Sequence, residues 1–216
     1  MLSAVIFDLD GLLIDSEPCW NRVRQQIASE YGKAWTEADQ RAVMGVSTTT
    51  WANRMIERLE LEMTQPAVID LVVDRMRSLY LEHIPYLPGA VEAVNLAAEY
   101  FPIALASGSE RSLIEIVVKD PALRGKFQTV VCTDDLPRGK PAPDVYLEAA
   151  RRLSIAPQAC ICVEDSPNGV LAAKAAGMRV IAVPDMRFLP DMEVIRQADV
   201  ILKSLEEFTI ELIRSL

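Results

Sequence analysis

Six short apolar runs, at residues 4–9, 103–106, 129–132, 159–163, 180–183 and 200–202, have strand length and are separated by segments of helical pattern. This alternation is the strongest constraint on the fold, because a strand–helix–strand repeat predicts a parallel sheet covered by helices. Val91, Val94 and Ala98 recur at helical spacing. Segment 143–153 opens with a proline, where the missing N–H costs least, and Ser166-Pro167 starts a helix that stops at Gly177. The alternation fails once, between Asp15 and Pro88, where no run reads as a strand. There Trp20, Val23, Ile27 and Tyr31 form one helical stripe, Trp51, Met55 and Leu59 a second, and Val68, Leu71, Val72 and Leu79 a third. The prediction is an α/β protein with a Rossmann-like parallel-sheet core of residues 1–15 and 88–216 and an inserted helical bundle at 16–87. Proline and glycine in Asp15-Ser16-Glu17-Pro18 and Pro85-Tyr86-Leu87-Pro88-Gly89 suit the two crossings.

Composition removes several classes of function. Half of the residues are hydrophobic and a quarter are charged, which excludes a disordered chain. Asp plus Glu (31) exceed Lys plus Arg (22), a net charge of −9, so nucleic acid and anionic membrane surfaces are poor partners. No apolar run has the length of a membrane span. The first run lacks a basic flank and ends in Asp8, unlike a signal peptide. Cys19, Cys132, Cys160 and Cys162, with His83 as the only histidine, offer no zinc spacing. They read as buried thiols in a reducing cytoplasm, Cys160 and Cys162 sharing one strand face. Nothing in the sequence demands more than a monomer.

Ligands of open parallel sheets bind beyond the carboxyl ends of the strands. At those ends stand Asp8 and Asp10 after the first run, Ser107, Gly108 and Ser109 after the second, Lys140 in a loop after the third, and Glu164 and Asp165 after the fourth. Four carboxylates gathered on one rim repel, each close pair by about 4 kcal/mol at an effective dielectric near 20. A hard divalent cation resolves the conflict, and an all-oxygen ligand set favours magnesium. A cation, an ammonium, a hydroxyl and backbone N–H groups together suit a phosphoryl group. A carboxylate can also be the nucleophile, forming an acyl phosphate. Ser109, just before Glu110, reads as a helix N-cap rather than as part of this set.

These four segments, in this order, resemble the haloacid dehalogenase superfamily, and in particular its phosphatases with a helical cap inserted after the first strand. Asp8-Leu9-Asp10-Gly11 resembles the first motif of that family, Ser107 its second, Lys140 its third and Glu164-Asp165 its fourth. The resemblance implies that residues 16–87 are a cap domain. It implies Asp8 as nucleophile, and Asp10 as the acid that protonates the leaving alcohol and then the base that activates water. Magnesium would be held by Asp8, the backbone carbonyl of Asp10 and Asp165, with Glu164 holding the metal shell directly or through water. Ser107, Gly108 and Lys140 would bind the phosphoryl group.

The implied reaction is hydrolysis of a small phosphorylated metabolite, a sugar phosphate above all. Phosphosugar mutases of the same group carry a histidine and an arginine where this chain has Trp20 and Thr48, which favours hydrolysis. A metal-free dehalogenase does not need Asp10. A phospho-acceptor module has no use for a large insertion that encloses a substrate.

Overall fold

The computed structural model describes residues 2–216. Its strands are β1 (Ala4–Phe7), β2 (Ile103–Ser107), β3 (Thr129–Cys132), β4 (Cys160–Glu164), β5 (Arg179–Ala182) and β6 (Val200–Ile201). Its helices are α1 (Glu17–Glu30), α2 (Glu37–Val43), α3 (Thr48–Leu59), α4 (Gln65–Glu82), α5 (Ala90–Tyr100), α6 (Arg111–Lys119), α7 (Asp144–Leu153), α8 (Pro167–Ala175), α9 (Met192–Ile195) and α10 (Ile210–Ser215). Each apolar run of the sequence contains a strand, to within two residues. The chain divides into two compact units, one of residues Met1–Asp15 and Pro85–Leu216, the other Ser16–Ile84.

The first unit is an α/β fold around a six-stranded sheet in the order β3-β2-β1-β4-β5-β6, with every pairing parallel. A parallel sheet covered on both faces needs strands that are apolar throughout. β1, β2 and β4 are buried along their whole length. One face of the sheet packs Ile6, Ala104, Ala106, Val131 and Cys162 against Tyr146 and Ala149 of α7 and Val170 and Ala173 of α8. Cys160 and Cys162 share that face. The chain runs from β1 outward through β2 to β3 and then returns to place β4 on the other side of β1. The order therefore reverses between β1 and β4, the position at which open α/β sheets form their ligand crevice.

Past β1 the chain turns tightly. The Leu9 carbonyl accepts from the N–H groups of Leu13 (2.9 Å) and Ile14 (3.1 Å), and Ile14 bridges antiparallel to Tyr86. The Asp15 N–H donates to the Pro85 carbonyl (2.8 Å) and the Leu87 N–H to the Leu13 carbonyl (2.9 Å). This pairing, with the Tyr86 hydroxyl donating to Asp120 (3.1 Å), ties residues 85–87 to the α/β unit. The boundary after residue 87 predicted from proline and glycine therefore moves to Ile84.

The second unit is helical. Its helices start where the caps dictate: Thr36 and Asp39 form a reciprocal capping box on α2, and Ser47 and Thr64 accept N–H bonds at the starts of α3 and α4. Val23, Ile27, Trp51, Met55, Leu59, Val68, Val72 and Met76 form its core. Tyr31, assigned by periodicity to the α1 stripe, lies beyond the end of the helix and is 44% exposed. Cys19 is half-buried, unlike the other three cysteines, and among the described residues none of the four is in a disulfide. Among the described residues no helix is long and apolar enough to cross a membrane.

Candidate active site

All the side chains singled out at the strand ends belong to the α/β unit, and they form two linked groups. Asp8 directly follows β1, and its N–H extends the sheet by donating to the Val163 carbonyl of β4 (3.0 Å). Lys140 arrives from the loop after β3. Its ammonium donates to Asp8, to Glu164 Oε1 (2.6 Å) and to the Ala106 carbonyl (3.4 Å), and it lies over the Tyr146 ring, 5.1 Å from the centroid. Asp8, Glu164 and Asp165 each offer an oxygen within 4.8 Å of the others.

Glu164, the last residue of β4, is completely buried. Its Oε1 accepts from Lys140 and from the Tyr146 hydroxyl (2.6 Å). Its Oε2 accepts from the N–H of Asp165, the N–H of Ser166 and the Ser166 hydroxyl, each at 3.0 Å. A carboxylate presents about four lone-pair directions, so Glu164 is fully engaged. It anchors the lysine and the loop instead of presenting a free oxygen. Two glycines make this packing possible. A side chain at Gly169 in α8 would overlap the Glu164 carboxylate, and one at Gly11 would overlap that of Asp165. Gly11 also has φ +81°, a conformation that costs only glycine nothing.

The electrostatics show a surplus of negative charge. Burial, then the charges of Glu164 and Asp10, push Asp8 up to about 8 against the pull of Lys140. Burial, then Glu164 and Asp8, raise Asp165 well above the usual carboxylate range. For Glu164, burial also disfavours the charge, but Lys140, Tyr146 and the Ser166 N–H outweigh it and hold it ionised. Burial likewise opposes the Lys140 charge, and Asp8 and Glu164 overcome it. Three acids thus share one ammonium, and a hard cation at the oxygens of Asp8 and Asp165 would relieve the imbalance. The donor set fits magnesium.

The second group centres on Asp10. Its carboxylate stands outside the three-acid cluster, and Oδ2 accepts from the hydroxyls of Ser107 (3.3 Å) and Ser109 (2.6 Å). Any contribution of Asp10 to a metal therefore falls to its backbone carbonyl. Ser107 is fully buried at the end of β2, and Gly108 follows it as exposed backbone. Ser109 is not a cap: α6 is capped by Glu110, which accepts from the Ser112 N–H (2.7 Å). Tyr146, Ser109 and Ser166 bond the acids of the site although sequence reasoning did not place them there.

Acids, a lysine and serines gathered at the point of strand-order reversal mark a phosphoryl-handling hydrolase of the α/β class. Residues 5–183 match the haloacid dehalogenase-like hydrolase family, and the chain belongs to it. It is 37% identical over 209 residues to hexitol phosphatase B of Escherichia coli K12, covering 95% of this chain and 94% of that protein. It is 31% identical over 181 residues to a fructose-1-phosphate phosphatase of the same organism, covering 84% and 96% respectively. A candidate β-phosphoglucomutase from Thermotoga maritima superposes with a TM-score of 0.81 at 29% identity over the full length of both chains.

Proposed function

We propose that this protein is a magnesium-dependent phosphatase that hydrolyses a small phosphorylated metabolite, of the sugar or sugar-alcohol phosphate class, through a phosphoenzyme on Asp8. The observation that carries the reading is Asp8 itself. It is a buried carboxylate at the central strand end, bonded by Lys140 and clustered with Glu164 and Asp165. The names of the relatives support the substrate class.

Magnesium would be held by Asp8, Asp165 and the Asp10 carbonyl, with Glu164 steadying the site from behind; bound there, it supplies positive charge that favours ionised Asp8 and offsets the phosphoryl group. Asp8 attacks phosphorus, an Oδ–P bond forms and the P–O bond to the alcohol breaks. Asp10 gives its proton to the departing alkoxide oxygen. Water then attacks the phosphoryl group while Asp10 takes a proton from it, releasing inorganic phosphate and restoring the Asp8 carboxylate. Ser107 and Lys140 donate to phosphoryl oxygens, where charge builds in the transition state.

The mutase resemblance favours a second reading, isomerisation on the same aspartyl phosphate. Trp20 and Thr48 stand against it, since neither supplies a charged group for a second phosphate. Phosphate release from a panel of phosphorylated sugars and polyols tests the proposal. Turnover with magnesium that stops in chelator is the expected result. Full turnover in chelator would remove the metal, and conversion of β-glucose 1-phosphate to glucose 6-phosphate without matching phosphate release would replace hydrolysis by isomerisation.

A further inference from the structure

We infer that Ser109 is a positioning residue for the acid–base step, holding Asp10 while Ser107 is engaged with the phosphoryl group; this rests on the reading of Asp10 as general acid. Ser107 and Ser109 now share one acceptor, Asp10 Oδ2, at 3.3 and 2.6 Å. A hydroxyl has a single proton to donate. Once Ser107 turns it toward a phosphoryl oxygen, its bond to Asp10 is lost. Ser109 makes the shorter bond and keeps Asp10 in place through that change.

The Ser109 backbone contributes as well. Its N–H donates to Ser107 Oγ (2.9 Å), which fixes that oxygen and leaves the hydroxyl proton for an acceptor elsewhere. Its carbonyl accepts from the Cys132 thiol (3.1 Å), which ties the loop to the end of β3. Ser109 is only 9% exposed, so its hydroxyl is a fixed donor and not a solvated one. Asp10 Oδ1, in contrast, is buried and has no hydrogen-bond partner among the described residues. The bonds on Oδ2 therefore leave Oδ1 as the oxygen that carries the proton to the leaving group.

Ser109→Ala removes the hydroxyl and keeps the backbone N–H to Ser107. The readout is kcat/KM, which reports events up to departure of the alcohol. It is measured for an alkyl phosphate, whose leaving group needs a proton, and for p-nitrophenyl phosphate, whose leaving group does not. The ratio of the two is independent of how much of the variant is folded. We expect Ser109→Ala to lower the alkyl value about tenfold relative to the aryl value, the worth of a hydrogen bond to a carboxyl that becomes charged as it gives up its proton. Asp10→Asn should shift the same ratio further. A shifted ratio in Asp10→Asn with none in Ser109→Ala overturns this inference alone. An unshifted ratio in Asp10→Asn overturns the acid role of Asp10 and the inference with it.

Discussion

Neutralising Asp8, the proposed nucleophile, should stabilise the metal-free protein while ending its turnover. In the folded chain Asp8 titrates near 8 instead of 3.8, chiefly because it is buried. Between those two values the unfolded chain has released the proton and the folded chain retains it. The resulting stabilisation is complete below about pH 4 and is lost as pH rises toward 8. One pH unit across this window is worth about 1.4 kcal/mol for one proton, so from pH 5 to pH 8 about 3–4 kcal/mol is lost. Asp8→Asn has no proton to lose. Asp165 adds a slope of its own, and the Asp8 charge raises it further, so the difference between the two proteins reads the Asp8 charge together with its push on Asp165. Urea unfolding followed by circular dichroism in chelator should find the two equally stable within about 1 kcal/mol at pH 5, and the variant more stable by about 3 kcal/mol at pH 8. A variant no more stable than the wild type at pH 8 would refute the charge surplus at this site.

Magnesium held as proposed must displace protons from both Asp8 and Asp165, so its Kd should rise at least about tenfold for each pH unit below 8. Calorimetry in buffers of different ionisation enthalpy should then detect the released protons, and a pH-independent Kd would contradict this. Gly169→Ala forces a methyl group onto the Glu164 carboxylate. It should lower the melting temperature and reduce kcat at least about tenfold, overpacking costing about 1–3 kcal/mol; wild-type values for both would mean that Glu164 is seated elsewhere. Tyr146→Phe deletes a 2.6 Å hydrogen bond to a buried, charged Glu164. About 2 kcal/mol should be lost in urea unfolding, and unchanged stability would deny the bond its role.

The sheet and the strand-end polar residues were legible because a buried parallel strand must be apolar and an abrupt polar residue ends it. Asp8, Ser107 and Glu164 announce themselves that way, and Lys140 by its place in the loop after β3. Periodicity reports which face of an element a residue occupies and not which distant group it meets. Tyr146 reads as an ordinary position of α7, and only the fold puts its hydroxyl on Glu164, eighteen residues further on. Ser109 has the composition of a cap, but Glu110 accepts from the Ser112 N–H of α6 instead, freeing the serine hydroxyl for Asp10. The pairing of residues 13–15 with 85–87 is equally invisible, since backbone hydrogen bonds between distant segments leave no mark on side-chain pattern. The helical stripe overran at Tyr31 because apolar spacing continues past the residue where α1 ends.

The central claim is that Asp8 carries the phosphoryl group in transit. Acid quench during turnover of a sugar phosphate, followed by peptide mass mapping, tests it most directly. The N-terminal peptide should gain the mass of one phosphoryl group, located on Asp8, and Asp8→Asn should abolish both that adduct and phosphate release. Turnover that persists in Asp8→Asn, or an adduct mapped to another residue, would contradict the account.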